Sequence, residues 1–88
     1  MVEIAVEVVL ALPDRTLFKR VVLDAAATVE DAIAAAELGE DRRWVDSQRL
    51  GIFGRRVALE QLLRDGDRVE IYQPLLLDPK EARRRRAR

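Results

Sequence analysis

The chain contains neither cysteine nor histidine. That removes disulfides, thiolate nucleophiles, imidazole acid-base chemistry and the zinc sites built on those ligands. The remaining candidate nucleophiles are Thr16, Thr28, Ser47, Tyr72 and the lysines Lys19 and Lys80, and none has a base beside it in sequence. An enzyme is therefore the poorest fit, and no cofactor or metal is expected. No apolar run approaches the ~20 residues that span a bilayer, so no membrane insertion is expected. Met1 is followed by alternating acidic and apolar residues instead of the basic segment and apolar run of a signal peptide, which makes the cytoplasm the expected location.

Aromatic residues are few as well: Phe18, Trp44, Phe53 and Tyr72. The 49% hydrophobic content thus rests on Val, Leu, Ile and Ala, an ordinary globular composition. Eighty-eight residues suffice for one core and one domain. Net charge is zero but unevenly spread: residues 78–88 hold six cations against two carboxylates, a net +4, which leaves −4 on residues 1–77. An acidic body (1–77) with a basic tail (78–88) suggests interaction or self-docking.

Ile4, Val6, Val8 and Leu10 alternate with Glu3, Ala5 and Glu7, the period of a half-buried strand. Pro13 and Asp14 supply a turn, and a second strand over Leu17 to Leu23 makes a hairpin with Leu17, Val21 and Leu23 on one side. Thr28 before Val29-Glu30-Asp31 reads as a helix cap with acidic groups in the first turn. Val29, Ala32, Ile33 and Ala36 share a helix face, and Gly39 is the expected terminator. Residues 40–49 read as an irregular connection pinned by Trp44. Leu50 to Phe53 reads as a third strand, Gly54 to Arg56 as a turn and Val57 to Leu59 as a further short strand. Leu59, Leu62 and Leu63 are spaced for one helical turn. Asp65-Gly66-Asp67 then reverses the chain into a last strand with Val69 and Ile71 inward, and Asp78-Pro79-Lys80-Glu81 reads as a helix start in the tail.

This order predicts an α+β fold, a β-grasp: a mixed four- to five-stranded sheet packed on one helix, its other face toward solvent. The segments Ala11-Leu12-Pro13, Gly51-Ile52-Phe53, Asp65 to Tyr72, Pro74-Leu75, Asp78-Pro79-Lys80-Glu81 and Arg83 to Arg86 together resemble the RnfH family of small bacterial ubiquitin-like proteins. Gln73 and Leu77 depart from the basic and small residues usual at their positions. The resemblance implies the fold; members are named after an electron-transport gene cluster, and some are described as antitoxins. It carries no catalytic residue. Ubiquitin-like carriers, including sulfur carriers, thread a flexible Gly-Gly end into an activating enzyme, and here Asp78-Pro79-Lys80-Glu81 and the arginines stand in that region.

The expected role is accordingly a non-enzymatic protein-interaction module. On the uncovered face Phe18, Arg20 and Val22, with Glu70 and Tyr72, form a mixed apolar and charged surface for another protein; the bland reading is scattered surface apolar residues. An exposed edge strand offers a further way to bind. Lys80, Arg83, Arg84, Arg85, Arg86 and Arg88 suit an anionic partner, RNA or the ribosome, against the bland reading of a solvated terminus. The pairs Glu30-Asp31, Glu40-Asp41 and Asp65/Asp67 are explained by capping and turns rather than acid-base work. Gly51 and Gly54 lack the lysine and hydroxyl of a phosphate loop, and Trp44 reads as a loop anchor.

Overall fold

Alternation places Ile4, Val6, Val8 and Leu10 on one side of strand β1 (Glu3–Ala11), and all four are buried in the computed structural model, which describes residues 2–73. β2 (Thr16–Asp24) pairs with it antiparallel, Val6 facing Val21 and Val9 facing Phe18. The turn between them is held where the Leu12 N–H donates to the Arg15 carbonyl at 2.8 Å, and Arg15 forms an ion pair with Asp41 at 3.1 Å.

Helix α1 (Val29–Ala35) begins at the expected cap. Thr28 Oγ1 accepts the Asp31 N–H at 3.3 Å while Asp31 Oδ2 accepts the Thr28 N–H at 2.9 Å, a reciprocal capping box. Val29, Ala32 and Ile33 face the sheet and are buried. The helix stops before Gly39, because Glu37 itself takes the left-handed conformation (φ 49°) and turns Leu38 into the core. Residues Gly39–Trp44 form a short 3-10 helix where an irregular connection was expected, with Trp44 half-buried against the core edge as predicted.

β3 (Leu50–Ile52) and β4 (Arg55–Arg56) form the second hairpin. Here the sequence expectation is corrected: Phe53 (φ 47°) and Gly54 (φ 81°) both lie in the left-handed region, so they make a two-residue turn of the primed type. The ladder therefore resumes at Arg55, opposite Ile52, and not at Val57–Leu59. The helical turn expected at Leu59 to Leu63 is reduced to one hydrogen-bonded turn, in which the Gln61 N–H donates to the Ala58 carbonyl at 3.1 Å, and it does not continue to Leu63. That segment runs past the start of α1, where the carbonyls of Gln61 and Leu59 accept the Val29 and Glu30 N–H groups at 2.9 and 3.1 Å. These are amides that a helix leaves without partners of its own.

Gly66 (φ 87°) reverses the chain, and β5 (Arg68–Ile71) enters between β1 and β3. It runs parallel to β1 and antiparallel to β3, giving the order β2-β1-β5-β3-β4. Leu10, Ile33, Leu50, Val69 and Ile71 make the innermost part of the core. The expected tail helix and the tail cations Lys80, Arg83 to Arg86 and Arg88 lie outside the described residues.

Candidate functional site

With α1 on one face, the register sets side chains of the opposite face in rows. Arg20, Glu7 and Arg68 align across β2, β1 and β5; Phe18, Val9 and Glu70 form the next row, which continues onto Gly51 of β3. Val22 lies beside Ala5 at the other end of β2. Phe18, Arg20 and Val22 are thus brought together as expected, and both apolar members are open to solvent, at 62% and 59% exposure.

The charged row is internally unequal. Arg68 Nε donates to Glu7 Oε1 at 2.9 Å, and its guanidinium also sits 5.8 Å from the Phe53 ring centre, within cation-π range. Arg20 faces the same Glu7 in register yet makes no ion pair among the described residues. Ala5, Glu7, Arg20, Phe53, Asp67 and Arg68 border a shallow cleft of about 310 Å³.

Glu70 and Tyr72 lie on this face but are turned inward to one another. The Tyr72 hydroxyl donates to Glu70 Oε1 at 2.5 Å, and that oxygen also accepts the Gly54 N–H at 2.7 Å. Burial of the ring, then the hydrogen bond and the charge of Glu70, push the Tyr72 hydroxyl up to about 12. Both residues brace the β3–β4 turn and leave the exposed strip to β2.

Phe53 was missed by the sequence reading, which placed it inside a strand. It is 63% exposed, in a backbone conformation costly for a bulky side chain, and its ring stands beside Arg68. The readable signal is Phe-Gly where a tight hairpin turn favours Asn-Gly. Gln73, read from sequence only as a departure from the family pattern, is buried, and its Nε2 donates to the Trp44 carbonyl at 2.8 Å, fastening the chain two residues past β5 to the 3-10 helix.

Asp31, Asp65 and Asp67 serve the backbone. Asp65 Oδ1 accepts the Ala5 N–H at 2.8 Å and Asp67 Oδ2 the Arg64 N–H at 2.8 Å, while Asp31 caps α1. Among the described residues no group of three or more His, Cys, Asp or Glu could hold a metal ion. No helix among them is long and apolar enough to cross a membrane.

Residues 4–86 match the family model described as RnfH family Ubiquitin. Protein RnfH of Sodalis glossinidius is 52% identical over 89 residues, covering 99% of this chain and 95% of that protein. Protein RnfH of an Escherichia coli strain is 51% identical over 87 residues, covering 97% and 91%. Among solved structures, SAMP1 from Haloferax volcanii superposes with a TM-score of 0.59 at 26% identity, covering 80% of this chain and 94% of that one. A second crystal structure, of H. volcanii small archaeal modifier protein 1, matches with the same TM-score of 0.59 and covers 81% and 98%.

Proposed function

Because the chain belongs to the RnfH family of ubiquitin-like proteins, we propose that it is a non-enzymatic module that holds a protein partner on the open face of its sheet. The observation that carries this reading is the exposed apolar set Phe18, Val22 and Phe53 around an Arg20 that pairs with no carboxylate among the described residues. Phe53 adds weight, since the left-handed conformation that the turn requires at its first position is costly for a phenylalanine and suits asparagine better. Strained residues of this kind concentrate at binding sites, and exposed aromatic residues are frequent anchors of interfaces.

The test is affinity capture from cell extract with the full chain, a Phe18→Ala/Val22→Ala double variant and a chain ending at Leu77. Prey lost by the double variant and kept by the shortened chain supports the face. The converse moves binding to the arginine-rich residues 83–88 and, where binding collapses with salt, to RNA or the ribosome. Antitoxin action is the special case in which the captured protein is a toxin.

The likeness to a protein called a small archaeal modifier favours a second reading, attachment or sulfur transfer through the C-terminus. Intact-mass measurement on protein from its native host distinguishes it: a thiocarboxylate or a conjugate supports the second reading, an unmodified chain the first.

A further inference from the structure

Among the described residues, β2 is the outermost strand on its side of the sheet and is paired only with β1. The Ala25 N–H donates to the Val2 carbonyl at 3.0 Å and the Leu12 N–H to the Arg15 carbonyl at 2.8 Å, both in the β1–β2 register. Antiparallel ladders alternate, so odd-numbered residues of β2 bond to β1 and even-numbered ones aim N–H and C=O outward. The outward set includes Phe18, Arg20 and Val22, whose side chains are also those on the open face. Among the described residues, no backbone partner meets these three from outside β2.

Resting on the proposed binding role, we infer that the outer edge of β2 receives an extended segment of another protein as an added strand, with an acidic residue opposite Arg20 and apolar residues opposite Phe18 and Val22. Charge selects this occupant. A second copy paired antiparallel about the strand centre sets Arg20 against Arg20, with Lys19 adjacent, which is unfavourable. The net +4 of residues 78–88 is repelled by the same cations. An acidic strand satisfies together the amides and the guanidinium that have no partner among the described residues.

The probe is an end-capped peptide matched in length to β2, alternating threonine and valine with glutamate at its centre. Binding to the full chain is followed by NMR and by amide exchange. Exchange at Phe18, Arg20 and Val22 should slow about tenfold at saturation, and a central lysine should weaken binding about tenfold. Arg20→Glu should reverse the preference between the peptides. N-methylation of the peptide amides that face β2 should abolish binding, and methylation of the alternate set should preserve it. Equal binding of both methylated peptides overturns strand addition while leaving the face as a side-chain docking surface. No shift at millimolar peptide, shifts confined to α1, or concentration-dependent self-association through β2 also overturns it. The capture experiment stands independently of these outcomes.

Discussion

Tyr72 and Glu70, two residues apart at the end of β5, share a hydrogen bond of 2.5 Å that also holds the β3–β4 turn through Gly54. Side chains two apart on extended backbone point to the same face, and the Tyr72 N–H donating to the Arg49 carbonyl at 2.9 Å carries that alternation one residue past β5.

Tyr72 is the sole tyrosine, which makes the brace measurable. Its hydroxyl titrates at about 12 in the fold against 10.0 ordinarily. The folded protein therefore holds a proton that the unfolded chain releases. That contribution to stability is complete below pH 10 and declines as pH rises through about 12. Tyrosinate absorbance should show the raised midpoint. Glu70→Gln should lower it, since the carboxylate supplies two of the three causes, leaving burial of the ring as the third.

Gly51 is required by proximity. A Cβ built there meets the Tyr72 hydroxyl oxygen at 2.9 Å and the Arg55 carbonyl oxygen at 3.1 Å. Gly51→Ala should destabilise by about 1–3 kcal/mol in urea unfolding. Removing the hydroxyl with Tyr72→Phe should recover part of that loss in the double variant, because the Arg55 carbonyl contact stays.

Phe53→Asn should separate stability from binding. Asparagine accepts the left-handed conformation at the first turn position more readily, and the gain should approach about 1 kcal/mol, less any loss of the Arg68 contact. A rise of a few degrees in thermal midpoint together with weaker retention of captured prey is the expected pair of results. A stabilised variant that binds as well as the parent removes Phe53 from the interface.

Thr28→Ala removes one half of the capping box and should cost about 1 kcal/mol. In a chain of this size that corresponds to a thermal midpoint lower by roughly 4–8 °C. Thr28→Ser should retain most of the stability, which identifies the hydroxyl rather than the methyl group as the cause.

The fold was legible where periodicity is enforced by burial: alternation along β1, the Thr28 cap, and Val69 and Ile71 inward on β5. The errors fall where a backbone angle, not a side-chain pattern, decides. Glu37 and Phe53 adopt left-handed conformations that sequence assigns to glycine, so the helix ended early and the second turn came one residue sooner. Leu59 and Leu63 carried helical spacing, yet the chain makes a single turn at Leu59 and then runs on with its carbonyls taken by the bare amides of α1, a long-range demand invisible locally. At the candidate site, the even-numbered residues of β2 were predictable from strand parity. The inward lock of Glu70 on Tyr72 depends on a turn sixteen residues away and was not.

Placing β5 beside β1 has a consequence for synthesis. The first strand is made early but acquires its inner neighbour only when Arg68 to Ile71 have emerged, because that pairing joins nearly opposite ends of the described sequence. Until then β1 and β2 form a ribbon whose apolar side lacks Val69 and Ile71 and whose inner edge is unsatisfied. A nascent chain halted before Arg68 should be prone to aggregation and dependent on chaperones, whereas one extending past Ile71 can close its core in a single cooperative step.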